Sequence, residues 1–400
     1  MRPMTSHRAR ATLLITCAIH LLHDGLADLL YVLFPVWARE LSLSFAQVGL
    51  LRTSYSGALA LFQIPAGLLA ERWGEARVLA AGTVLTAVGF LALGRVGGFA
   101  TLVAVLVLGG LGSGTQHPLG AALVSRAYEE GARRFALGTF NFSGDLGKML
   151  FPACAALAVG WVGWRLTTAG VGLVAAAGAA AAFAGLGWLA GRPAAGKSRA
   201  PREAAGAGWG IRDGRGFQAL SAIHGIDNGS RGAFLTFLPF LLLQKGAGME
   251  LMGLAFGLTL GGGAAGKFLC GIVAERLGII RTVLLSEAAT AGGILLLLLL
   301  PLYPAMGFLP LLGVMLNGTS SVLYGTVPEF VHPERRSRAY GLFYTVGIGS
   351  GALFPPGFGC LSDRIGLVPT LILLAGVVLL TLPLAGLLRG SLRRAAPAAD

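Results

Sequence analysis

The chain is divided into runs of apolar residues long enough to cross the roughly 30 Å hydrocarbon core of a bilayer. That restricts it to folds whose backbone polar groups are satisfied within each crossing segment. Six runs lie at 11–36, 46–70, 77–95, 98–124, 136–160 and 166–190. A polar stretch from Gly191 to Arg215 follows, and six more runs lie at 215–243, 249–273, 281–301, 303–327, 339–360 and 367–388. The expected fold is all-α: twelve transmembrane helices in an N-terminal six-helix bundle (1–190), a cytoplasmic linker (191–215) and a C-terminal six-helix bundle (216–400). Composition agrees, with 55% hydrophobic residues and only 12% charged. His20, His23, Asp24 and Asp28 interrupt the first run, so it reads as a retained helix rather than a cleaved leader.

A net charge of +13 raises the question of a phosphate-backbone partner, which requires basic residues clustered on one solvated surface. Their spacing instead follows the loops. Twenty-two Lys and Arg fall on the amino terminus, the even-numbered connections, the linker and the carboxyl terminus, against five on the other side (Arg39, Arg95, Arg165, Lys245 and Arg364). By the positive-inside rule both termini are cytoplasmic, and nucleic acid is not an expected partner. Cys17, Cys154, Cys270 and Cys360 are widely separated within or at the ends of apolar runs, which indicates packing rather than a metal site or disulfides.

The two halves repeat. A shift of 204 residues brings Ala18-Ile19-His20 onto Ala222-Ile223-His224, Gly25 onto Gly229 and Pro35 onto Pro239. It also brings Gly67, Ala70-Glu71-Arg72, Gly74 and Arg77 onto Gly271, Ala274-Glu275-Arg276, Gly278 and Arg281, and Gly114-Thr115 onto Gly318-Thr319. At a shift of 203, Gly138, Phe140, Gly144 and Phe151-Pro152 meet Gly341, Phe343, Gly347 and Phe354-Pro355. Two parallel six-span repeats joined by a longer cytoplasmic loop are the pattern of transporters whose bundles rock about a midplane site.

The segment Gly67-Leu-Leu-Ala-Glu71-Arg72-Trp-Gly74-Glu-Ala-Arg77 resembles the loop signature of the major facilitator superfamily, and the Gly271 to Arg281 segment echoes it. Within that superfamily, His20-Leu-Leu-His23-Asp24 leading to Phe34-Pro35, Ser42-Leu-Ser-Phe-Ala-Gln47-Val-Gly49-Leu, and His117-Pro118 are similar to the fosmidomycin-resistance branch of drug exporters. The chain departs from that branch at His23, where an Asn is expected, and at Leu119, where an acid is expected. The resemblance implies the major facilitator fold, a cavity-lining fourth span that carries His117, and export of a small organic compound. It also implies a gating role for Gly67, Glu71, Arg72, Gly74, Arg77, Glu275, Arg276 and Arg281, with capping and topology as the plainer reading.

Asp24, Asp28, Arg52, Asp145, Lys148, Asp227, Arg231 and Lys267 fall inside the spans. Unpaired in lipid, eight such charges would cost on the order of 24 kcal/mol at roughly 3 kcal/mol each, more than the ~5–15 kcal/mol net stability of a typical fold. They must pair or face water. Asp227 and Arg231 are spaced for a helical ion pair, as are Asp145 and Lys148. Asp24 lies one helical turn from both His20 and Asp28, without a cation on its own helix, which makes it the leading proton-coupling candidate, with hydrogen bonding to Arg52 or a histidine as the alternative. Asp28, Asp227, His23 and His117 are further proton-coupling candidates, since imidazole titrates near physiological pH. His20, Arg52, His117, Lys148, His224, Asp227 and Arg231 are candidates for binding substrate, with guanidinium suited to an anion. Tyr31, Phe237 and Tyr324 are candidates for the wall of a cavity that takes an organic solute, or for ordinary packing.

Neither a phosphate-binding glycine loop nor an HExxH or GxSxG motif is present, so the chain is not read as an ATP-driven pump or an enzyme, and no cofactor or metal is expected. The expectation is a monomeric, multi-pass transporter of the inner membrane, exporting a small organic solute in exchange for protons. The alternatives are proton-coupled uptake of an anionic metabolite and a non-transporting receptor of the same fold.

Overall fold

A computed structural model of the chain describes residues 6–128, 130–190, 209–332 and 336–395. Most of the linker, 191–208, lies outside the described residues. The helices are α1 (Ser6–Glu40), α2 (Phe45–Trp73), α3 (Glu75–Leu93), α4 (Phe99–Ser113), α5 (Gln116–Ala127), α6 (Glu130–Ala190) and α7 (Gly214–Gln244). They continue as α8 (Met249–Leu277), α9 (Ile279–Leu299), α10 (Leu302–Thr326), α11 (Arg336–Ile365), α12 (Leu367–Leu379) and α13 (Thr381–Ala395). Among the described residues, eight helical runs are long and apolar enough to cross a membrane, and one of these, Phe135–Leu186, has 52 residues, enough for two crossings. The remaining long helices α2, α7 and α11 are diluted by polar groups such as Arg52, Asn228, Arg231 and Thr345. The pairs α4 with α5 and α12 with α13 each make one crossing, so the helices account for the twelve spans read from the sequence.

Four tight turns share one backbone solution. Gly74, Gly163, Gly278 and Gly366 have φ of 85°, 77°, 82° and 88°, a region that favours glycine because it carries no Cβ. Gly163 breaks α6 into two crossings at the point where Gly366 separates α11 from α12 in the second half. Each half therefore repeats a three-helix unit, as nested repeats within a six-span bundle require. The Ser42 to Gly49 segment owes its pattern to a helix start: Ser44 Oγ accepts from the Gln47 backbone N–H at 3.3 Å, and Gln47 Oε1 accepts from the Ser44 N–H at 2.9 Å, a capping box.

The chain divides into two compact units, residues 1–196 with 247–257, and residues 197–246 with 258–400. In the first, α1 lies along α6; in the second, α7 lies along α11. The Phe151 ring fills the space that a side chain at Gly25 would need, and the Phe354 ring does the same at Gly229. The repeat therefore preserves a knob-and-hole contact as well as a sequence pattern. Small residues let membrane helices approach this closely where no aqueous hydrophobic drive operates between them. At the far end of α1, Glu40 accepts from Trp164 Nε1 and from Arg165, both at 2.5 Å, tying that end to α6.

A Cβ at Gly147 would run into the backbone carbonyl of Leu21, whereas Gly160 faces open space. Overpacking of this kind costs about 1–3 kcal/mol. Gly147→Leu should lower the thermal unfolding temperature of the detergent-purified protein clearly, and Gly160→Leu should leave it unchanged. Equal unfolding temperatures would contradict the close α1–α6 contact.

Candidate functional site

Asp24 is buried at the centre of a basic cluster in the first unit. Lys148 Nζ lies 3.1 Å from its Oδ2 and 3.6 Å from Asp145 Oδ1. His20 Nε2 is 3.2 Å from Asp24 Oδ2, and His117 Nε2 is 3.4 Å from Oδ1. The three basic groups come from α1, α5 and α6, and α6 can come so near because a side chain at Gly144 would lie 2.5 Å from His20 Nε2. The cluster is not sealed, since the side chains of His117 and Lys148 are 42% and 32% exposed.

Hydrogen-bond directions assign a proton within this cluster. His20 Nδ1 is 2.8 Å from the Phe140 carbonyl oxygen, which only accepts, so Nδ1 carries a hydrogen. The opposite nitrogen faces a carboxylate oxygen, and that contact is a hydrogen bond only with a second proton between them, on the ring or on the carboxyl. One turn along α1, Asp28 lies 3.9 Å from Arg52, whose guanidinium also donates to the Ala27 carbonyl at 3.1 Å and stacks 4.4 Å over the Tyr31 ring.

The histidine next to Asp24 in sequence has a different position. His23 Nε2 is 3.0 Å from Thr83 Oγ1, which donates its own hydrogen to the Leu79 carbonyl. Thr83 therefore accepts from His23, which leaves Nδ1 to accept from Ser113 Oγ at 2.9 Å, and Ser113 in turn accepts from Tyr55 at 2.7 Å. This directional chain links α1, α2, α3 and α4 and uses both ring nitrogens. A transferable proton has no free position on His23, whereas His20 and His117 meet the carboxylate directly. The ligand atoms of His20, Asp24 and His117 lie within 4.8 Å of one another, as metal ligands would, but the Lys148 ammonium already meets the same carboxylate.

In the second unit the positions equivalent to Asp24, His117 and Lys148 are neutral. His224 stacks on Phe343 at 4.1 Å, as His20 packs on Phe140 at 4.2 Å. At a shift of 204, however, Asn228 replaces Asp24 and Ser321 replaces His117, and at 203 Gly351 replaces Lys148. Asn228 Nδ2 lies 2.9 Å from His224 Nδ1, repeating the His–acid contact in neutral form. Arg231 is 3.7 Å from Asp227 Oδ2, and also bonds Asn228 Oδ1, Ser320 Oγ at 3.3 Å and the Leu316 carbonyl at 3.4 Å. Phe237 is fully buried, while Tyr324 stacks on the exposed Tyr344 at 4.7 Å.

At the loop signatures, Glu71, Arg72, Arg77, Glu275, Arg276 and Arg281 are exposed around the Gly74 and Gly278 turns, and Gly67 has open space beside it. The ion pair recorded at this end is Glu75 with Arg126, a long-range contact that sequence spacing does not reveal. Two further residues were not singled out from sequence. Gln116, beside His117, is buried with both amide atoms unpartnered. Glu287 on α9 is buried with Oε1 unpartnered; the signal that finds it is the repeat, which sets it opposite Thr83.

A family profile described as Major Facilitator Superfamily matches residues 16–355. The chain is 26% identical to the uncharacterized MFS-type transporter YfnC of Bacillus subtilis over 383 residues, covering 91% of this chain and 89% of that protein. It is 29% identical to a probable 4-methylmuconolactone transporter of Cupriavidus pinatubonensis, over 84% of this chain and 79% of the relative. Similarity to the fosmidomycin resistance protein of Escherichia coli is 28% over 160 residues, 39% of each chain. Among solved structures, a bacterial homologue of the human lysosomal transporter Spinster, inward-facing and unoccupied, aligns with a TM-score of 0.80 at 17% identity over 99% of this chain and all of that one.

Ser113→Ala would strip the donor from His23 Nδ1 and the acceptor from Tyr55. Leaving buried polar groups unpaired costs about 1–3 kcal/mol, so the unfolding temperature should fall while the affinity for a transported solute changes less than about twofold, on the order of 0.4 kcal/mol. An unchanged unfolding temperature would show that the hydrogen-bond chain does not hold the bundle.

Proposed function

Since the chain belongs to the Major Facilitator Superfamily and is a secondary transporter of the membrane, we propose that it carries a small organic anion together with a proton, with Asp24 as the proton-coupling carboxylate. One observation carries the reading: Asp24 meets His20, His117 and Lys148 at once, and the last two are partly exposed. When Asp24 is ionised, its charge occupies those basic groups. A proton on Asp24 removes that claim and leaves Lys148 and His117 to hold an anionic solute, while Arg52 adds a second cation one turn away. Proton and anion then raise each other's affinity, which by linkage is reciprocal. Two ligands that favour the same loaded state move in the same direction.

Export in exchange for protons is supported by a separate observation, the partial match to the fosmidomycin resistance protein. The Lys and Arg distribution supports an inner-membrane orientation with both termini cytoplasmic, and the chain acts as a monomer in this account.

Proteoliposomes separate the two directions. With an acidic exterior, wild type should accumulate a labelled organic anion, and Asp24→Asn should lose accumulation while still exchanging labelled for unlabelled solute. Expulsion of solute under the same gradient would favour exchange with protons. Gradient-driven accumulation that persists in Asp24→Asn would overturn the role given to Asp24.

A further inference from the structure

The second half carries its own buried charges, and they sit where the first half places its neutral hydrogen-bond chain. At the shift of 204, Asp227 falls on His23 and Glu287 falls on Thr83. In the first unit those positions form a hydrogen bond of 3.0 Å. In the second unit the same two positions on α7 and α9 hold two carboxyl groups.

Their surroundings cannot neutralise both. Glu287 is 1% exposed, and its Oε1 has no hydrogen-bond partner. Asp227 is also buried, and its Oδ2 has no hydrogen-bond partner, only the long contact with Arg231. The charged and titratable groups around Glu287 are Asp227 and Arg231 from α7 and the Cys270 thiol from α8, while Thr319 from α10 offers a hydroxyl. α12 carries no charged residue, and Arg389 on α13 is exposed. Arg231 divides its hydrogens among Asn228, Ser320 and the Leu316 carbonyl. Two carboxylates against one shared guanidinium would leave a net negative charge in the membrane interior, which is costly unless a proton or cation answers it.

We propose that Asp227 and Glu287 form a second proton-binding site, in which the two carboxyl groups share one proton and Arg231 balances the remaining charge. The pair requires no solute and is separate from the Asp24 cluster. Its part in transport rests on the proton-coupled reading given above: the second half then carries a proton of its own, and the number of protons moved per solute falls by one in Glu287→Gln.

Infrared spectroscopy tests the site without any transport assay. Detergent-purified wild type at neutral pH should show a carboxylic-acid C=O band that disappears in both Glu287→Gln and Asp227→Asn, because the acid left behind faces Arg231 alone and ionises. The double variant Asp227→His with Glu287→Thr restores the pair found in the first half; it should fold to wild-type abundance and lack the band, which covers the case in which a single variant does not fold. A band that survives in Glu287→Gln or in the double variant would overturn the proposal. So would carboxylate bands that shift on adding sodium at constant pH, since they would mark a sodium site. Loss of coupling in Asp24→Asn with the Glu287 band intact would leave the second site standing, so the two readings fail separately.

Discussion

An ionised carboxylate inside a bilayer is tolerated only when nearby groups answer its charge, and the first unit is arranged around that requirement at Asp24. The helix that carries it supplies one histidine; α5 supplies a second, and α6 supplies a lysine that reaches 3.1 Å. That reach depends on backbone contact between α1 and α6, where Gly147 and Gly25 leave room for the Leu21 carbonyl and the Phe151 ring. Packing and electrostatics are therefore one constraint. Any side chain that separated these helices would also pull Lys148 from the acid it neutralises.

Comparing the halves turns an ancestral repeat into a functional contrast. Both keep the histidine on α1 or α7, the aromatic ring against it and the close glycine on α6 or α11. The charges differ. The first half places its acid at Asp24 with a neutral His23–Thr83 pair beside it, and the second has neutral Asn228 with Asp227 and Glu287 at the neighbouring positions. The same scaffold thus presents charge on adjacent faces of equivalent helices.

Much of this was legible in the sequence because hydropathy and glycine report directly on physics. The twelve crossings followed from apolar length, and the loop signatures at Gly67–Arg77 and Gly271–Arg281 lie at the turns where the structure adds a positive φ at Gly74 and Gly278. Asp24 stood out as an acid without a Lys or Arg in its own apolar span, 11–36. Its partners were less legible, because Lys148 is three residues from Asp145 and the shorter contact, to Asp24, crosses between helices. The closed tautomer of His23 depends on hydroxyls 60 and 90 residues away. Glu287 is legible only through the repeat, which sets it opposite Thr83.

The most direct test of the account is whether binding an anion draws a proton onto the protein. Calorimetry of solute binding in buffers of different ionisation enthalpy, at constant pH, measures that proton without a membrane or a gradient. The account predicts net proton uptake on binding to wild type and none on binding to Asp24→Asn. Proton release on binding, or an uptake that survives in Asp24→Asn, would contradict it.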